Sequence, residues 1–242
     1  MPVMRTSIFL TIVFLLILSR NFSRAQDDKT VIYLIPGQGA DARQFQRLEL
    51  DPDYEIRNIE YFTPEQGWKM KDFALALSQQ IDTTANYIII GVSLGGMLAT
   101  EMGEFLKPEK IILISSAKCR DELPGRYTFQ KTIPINKLVP RGMIKWGAKK
   151  LQPLVEPDSK KDRQVFLDML NDKDPLFLKR TIAMIIQWER DEYSNDIVHI
   201  HGDNDHTLPS KNVAYNYLIQ DGSHMMVYTR ADEISALLNK IL

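Results

Sequence analysis

After Gln26 the chain alternates short, unbroken apolar runs with longer stretches whose apolar residues recur at helical spacing. VIYLI (31–35), YIIIGV (87–92) and IILISS (111–116) have the length and β-branched content of strands buried on both faces. YEIRNIEYF (54–62), DIVHIHG (196–202) and YNYLIQ (215–220) bring the expected strands to six. Between them the pattern predicts helices. Asp41 caps a short one over 41–49. Thr63-Pro64-Glu65-Gln66 pairs a capping threonine with proline in the first turn and a glutamine three residues on, which starts a helix running to Gln80. Further helices are expected from Leu94 to Leu106, over 160–170, over 174–188 with Asp174 as cap and Pro175 in the first turn, and from Thr229 through Ile241.

Strands separated by helical stretches imply right-handed crossovers, and so an α/β fold: a mostly parallel sheet of about six strands with helices on both faces. Ligand sites in such sheets lie at the carboxyl ends of the strands. The interval 117–195 is too long for a bare connection and is read as a helical insertion, a lid over those ends.

Composition narrows the class. The 242 residues are 44% hydrophobic and 25% charged, enough for one domain with a substantial core. Residues 1–25 stand apart: a basic start through Arg5, the apolar run SIFLTIVFLLIL (7–18), and a polar exit ending Ser23-Arg24-Ala25. That is the layout of a secretory signal peptide cleaved after Ala25, and the apolar run is short for a membrane anchor. The domain expected to fold is therefore 26–242, in a secreted or periplasmic protein. Loss of Arg5, Arg20 and Arg24 makes a chain of formal charge −1 more acidic by three, which does not suggest nucleic acid as a partner. Cys119 is the only cysteine, which excludes an internal disulfide; a buried, unreactive thiol is expected there. From Arg126 to Lys150 run seven basic residues and no acid, interleaved with apolar ones. They form either a solvated face of the insertion or a surface for anionic lipid or an acidic substrate.

The chemistry begins where YIIIGVSLGG (87–96) ends a buried strand by lifting Ser93 between Gly91 and Gly95. A sharp strand-to-helix turn needs small flanking residues, and it aims backbone N–H groups and the positive end of the next helix at whatever Ser93 meets. Here the sequence resembles the α/β-hydrolase family over nearly all of residues 26–242. In that family's order of serine, acid and histidine, HGDNDHTLP (201–209) resembles the acid segment and DGSHMM (221–226) the histidine loop. The resemblance implies Ser93 as nucleophile, His224 as base and Asp205 as acid, with Asp203 on the same loop as the alternative acid. PGQG (36–39) lies where the family has its oxyanion loop, which implies backbone donors at Gln38 and Leu94; Pro36 replaces the usual histidine. His199 and His201 are expected to be structural, and no zinc-like spacing links them to His206.

No cofactor or metal is implied. The expectation is an exported serine hydrolase, a carboxylic ester hydrolase acting on a small ester or acyl substrate. Interfacial lipase, thioesterase, amidase and a non-catalytic binder of the same fold remain alternatives.

Overall fold

A computed structural model of the chain describes residues 29–132, 145–147, 150 and 160–242. The expected leader, residues 1–25, lies outside the described residues, as does much of the basic run 126–150.

Strands β1 (Val31–Ile35), β2 (Glu55–Asn58), β3 (Tyr87–Val92), β4 (Lys110–Ile114), β5 (Val198–Gly202) and β6 (Tyr217–Ile219) form one sheet of order β2-β1-β3-β4-β5-β6. Every pairing is parallel. The helices are α1 (Met70–Leu77), α2 (Leu94–Met102), α3 (Gly125–Thr132), α4 (Lys160–Asp172), α5 (Pro175–Ile186), α6 (Met226–Thr229) and α7 (Ala231–Ile241).

The apolar runs read as doubly buried strands behave accordingly, because successive side chains leave a strand on opposite faces. Val31, Tyr33, Ile35, Ile89 and Leu113 pack with Phe73 and Leu77 of α1 and Met97 and Leu98 of α2. Ile32, Leu34, Ile90, Ile112 and Ile114 pack on the other face with Phe45, Val227 of α6 and Ile234 and Leu238 of α7. Strand order reverses between β1 and β3, whose carboxyl ends therefore open onto the cleft such sheets use for ligands.

Several local expectations need correction. The helix foreseen from Thr63 begins at Met70. Gly67, at φ 87°, occupies a turn no helix can pass through, and the Thr63 hydroxyl donates to the Asp174 carboxylate at 2.7 Å instead of capping its own segment. The short helix after Asp41 is a 3-10 turn over Ala42–Phe45, with Asp41 as its cap. The last helix does not open at Thr229. That residue closes α6, and α7 starts at Ala231 after a break at Arg230. The outer strands β2 and β6 are shorter than their apolar runs.

Between β4 and β5 the chain supplies α3, α4 and α5, and α5 is fixed at both ends. Asp174 accepts the Leu176 N–H at 2.9 Å, as expected of the cap. At the other end Arg120 Nη1 donates to the Ile186 carbonyl at 2.6 Å, satisfying a group that a helix terminus leaves open. Just beyond, the buried Glu101 carboxylate of α2 accepts from Trp188 Nε1 at 2.7 Å and Arg190 Nε at 3.0 Å.

Candidate active site

Ser93 follows the last residue of β3 and precedes the first of α2, at φ 53° and ψ −117°. A non-glycine residue held there is strained, and the surroundings enforce it. A Cβ on Gly91 would lie 2.4 Å from the Gly95 carbonyl oxygen, and one on Gly95 would lie 2.1 Å from that of Ile35. The turn is further tied by the Ser93 N–H donating to the Ile114 carbonyl at 3.1 Å and by Ser116 Oγ donating to the Ser93 carbonyl at 2.6 Å.

Two loops from the far side of the sheet meet this serine. The loop after β6 carries His224, whose Nε2 is 2.8 Å from Ser93 Oγ. The loop after β5 carries Asp205, whose Oδ2 is 2.8 Å from His224 Nδ1. Asp205 Oδ1 accepts the N–H groups of Thr207 and Leu208 at 2.8 and 2.7 Å. Burial pushes the Asp205 carboxyl up, but the charge and hydrogen bond of His224, with the Leu208 N–H, outweigh it and hold the group below its ordinary value. An ionised Asp205 takes the proton on Nδ1, which leaves Nε2 a bare acceptor for the Ser93 hydroxyl. Asp203, the alternative acid, is exposed.

Behind Asp205 lie two buried histidines. His201 Nε2 donates to the Leu208 carbonyl at 2.7 Å, and His199 Nδ1 donates to the Ala214 carbonyl at 3.0 Å; a carbonyl only accepts, so these nitrogens carry the protons. His201 Nδ1 faces His199 Nε2 at 3.2 Å. Burial, with His201 close by, pushes His199 down to about 3, and burial also lowers His201. Both side chains are packed inside the fold, while His206 is exposed. Cys119 is buried, which pushes its thiol up.

The loop 36–39 passes Ser93 closely, since a Cβ on Gly37 would lie 3.5 Å from the Ser93 Cβ. Among the described residues no group accepts the backbone N–H of Gln38 or of Leu94. Leu94 is the first residue of α2, where no intrahelical acceptor exists. Three anchors hold the loop: Tyr61 Oη donates to the Pro36 carbonyl at 2.6 Å, the Gly37 N–H donates to Gln44 Oε1 at 2.9 Å, and the Gln38 side chain reaches α5. Tyr61, Ser116 and Thr181 escape a sequence reading because each matters only through a contact distant along the chain, and Gln44, seven positions from Gly37, belongs to no motif.

A cavity of about 220 Å³ opens at Ser93, with Met97, Phe166, Met169, Leu170, Ile185 and Leu208 on its walls. Helices α4 and α5 of the insertion thus form part of it. Among the described residues that line it, none is Lys, Arg, Asp or Glu. A larger groove of about 610 Å³, beside Trp68 and Arg190, contains none of Ser93, Asp205 or His224.

A family model described as an uncharacterised protein family, UPF0227, matches residues 39–134. No curated protein matches the chain. Among solved structures, a thermophilic esterase from Thermogutta terrifontis, with malate bound, is similar at 14% identity and TM-score 0.71, over 88% of this chain and 89% of that one. MenH from S. aureus is similar at 13% identity and TM-score 0.66, over 89% and 94%. The esterase EaEST from Exiguobacterium antarcticum is similar at 15% identity and TM-score 0.63, over 89% and 92%. With the parallel six-stranded sheet and the serine turn at the end of β3, these likenesses establish that the chain has the α/β-hydrolase fold.

Proposed function

We propose that the chain is an exported serine hydrolase that cleaves a small carboxylic ester through an acyl-enzyme on Ser93. The observation that carries this reading is the unbroken row from Ser93 Oγ through the His224 imidazole to Asp205, 2.8 Å at each step, at the mouth of an apolar cavity. A serine hydroxyl is a poor nucleophile, so His224 Nε2 takes its proton as Oγ bonds to the ester carbonyl carbon. Asp205 holds the imidazole in the required tautomer and stabilises its cation. The carbonyl oxygen, now negative, accepts from the N–H groups of Gln38 and Leu94, and losing one such donor costs on the order of 10²–10³ in rate. The protonated His224 then gives its proton to the departing alkoxide, and water repeats the sequence on the acyl-enzyme.

The esterases of the same fold, and the absence of Lys, Arg, Asp and Glu among the described residues that line the cavity, support an ester with an uncharged acyl group. The apolar leader and polar exit of residues 1–25 support export. A fluorophosphonate probe tests the reading. Labelling and p-nitrophenyl ester hydrolysis that both vanish in Ser93→Ala are expected. A folded wild-type protein that takes no label would leave a binding protein of the same fold.

A further inference from the structure

Pro36 stands where the resembled family usually has a histidine, and the loop after it is braced by a side chain of its own. Gln38 Nε2 donates to Thr181 Oγ1 at 2.8 Å and to the Leu178 carbonyl at 3.1 Å. A carbonyl can only accept, so the NH₂ end of the amide must face α5, with both its protons engaged. Thr181 Oγ1 spends its own proton on the Phe177 carbonyl at 2.8 Å, which leaves a lone pair for Gln38. Thr181 is completely buried, and α5 is held at one end through Asp174 and at the other through Arg120. The brace therefore stands on a fixed footing. Its other end is the residue whose backbone N–H has no acceptor among the described residues, in the loop that passes Ser93.

We propose that the Gln38 side chain and Thr181 are positioning residues: together they hold the Gln38 N–H aimed at the oxyanion, so that helix α5 of the insertion sets the rate of acyl transfer. This rests on the reading of Ser93 as the nucleophile. Ile185, one turn beyond Thr181 on the same helix, also lines the cavity, so one element both shapes the acyl site and holds the donor. The interaction strengthens only as negative charge develops, so its loss belongs in kcat and not in KM. A misplacement of about 1 Å costs on the order of 10² in rate, and the donor itself is retained, so a fall of about ten- to a hundredfold is expected.

The experiment compares Thr181→Val, which keeps the shape and removes the hydroxyl, Gln38→Met, which keeps the length and removes both donors, and Thr181→Ser. Each is tested with p-nitrophenyl butyrate, with an alkylboronic acid that forms a tetrahedral adduct on serine, and with butyramide, whose carbonyl is neutral, as a ground-state ligand. The expected result is a kcat loss in the first two variants, matched by weaker boronate binding, with butyramide affinity unchanged and most of the rate restored in Thr181→Ser. Melting curves identify a variant that fails to fold, and Gln38→Met keeps the test open if Thr181→Val does. The proposal is overturned if folded Thr181→Val and Gln38→Met keep kcat within about twofold, or if boronate and butyramide affinities fall together. A wild type that takes no fluorophosphonate label overturns the nucleophile reading and the brace with it; a labelled wild type with unaffected variants overturns the brace alone.

Discussion

Asp205 turns one oxygen to His224 Nδ1, at 2.8 Å, and the other to the N–H groups of Thr207 and Leu208. This division makes Asp205→Asn informative. The two backbone donors require an oxygen at Oδ1, so the amide nitrogen of the asparagine must face His224 as a donor. Nδ1 then has to accept, the proton moves to Nε2, and the imidazole can no longer accept from Ser93. Turnover should fall by about 10⁴ with the melting temperature little changed. Asp203→Asn, on the exposed side of the same loop, should act like wild type. Steady-state kinetics on the two variants decide the matter, and equal losses would remove Asp205 from its role.

The serine turn makes a second demand, on Gly95. A methyl group there must displace the Ile35 carbonyl, which is backbone and cannot rotate away. Gly95→Ala should destabilise the protein by about 1–3 kcal/mol, a drop of roughly 3–10 °C in Tm at this size. The carbonyl that must move leads directly into the loop holding Gln38, so activity should fall at temperatures where the variant is still folded. A Gly95→Ala protein with wild-type Tm and kcat would show that the turn has slack the geometry denies.

Legibility followed the range of the interaction involved. Tyr87 to Val92 reads as a strand because burial on both faces writes itself into every residue of the run, and Ser93 follows because its turn needs glycines adjacent in sequence. Asp174 and Pro175 likewise announce α5 by local chemistry. The same signature at Thr63 misleads, since Gly67 interrupts the segment and the threonine hydroxyl goes to Asp174. A capping pattern states what a segment could do alone, and tertiary contact decides. Gln38 was read only for its backbone. That its side chain crosses to Thr181, 143 positions away, depends on how the insertion folds back, which no local pattern records.

The histidine pair behind Asp205 predicts how stability depends on pH. His199 faces His201, Lys118 and Asp205, and burial lowers its proton affinity to a value of about 3. The unfolded chain takes up a proton on this side chain near its ordinary value of 6.5, while the folded chain refuses it until about 3. Between those values the unfolded state binds more protons, so stability is complete above 6.5 and is lost as the pH falls, by up to about 1.4 kcal/mol per pH unit for one group. Asp205, lowered from 3.8, adds its own loss only under more acidic conditions, so the interval from 6.5 to 4.5 isolates the histidines. His199→Asn retains a donor for the Ala214 carbonyl and does not titrate. Denaturant unfolding at a series of pH values should give a shallower slope for this variant, and parallel slopes would sink the assignment.

The cavity beside Ser93 predicts a limit on acyl chain length. Its volume of about 220 Å³ lies below the roughly 300–1,000 Å³ of sites for larger ligands. At about 30 Å³ for each water-sized group, some seven methylene-sized groups fill it. Each methylene buried on the way to the transition state adds about 0.8 kcal/mol, close to fourfold in kcat/KM, until the walls are reached. Activity on p-nitrophenyl esters should therefore climb with chain length to at most about eight carbons and then fall. Met169, buried on α4, lines the cavity. Met169→Ala removes three heavy atoms and should move the optimum to longer chains by up to about three carbons, at a stability cost of about 2–5 kcal/mol. The shift in optimum separates this from general damage, which lowers every ester alike. An unchanged optimum in a folded variant would mean that the acyl chain does not lie against α4, and that this cavity receives the alcohol side of the ester instead.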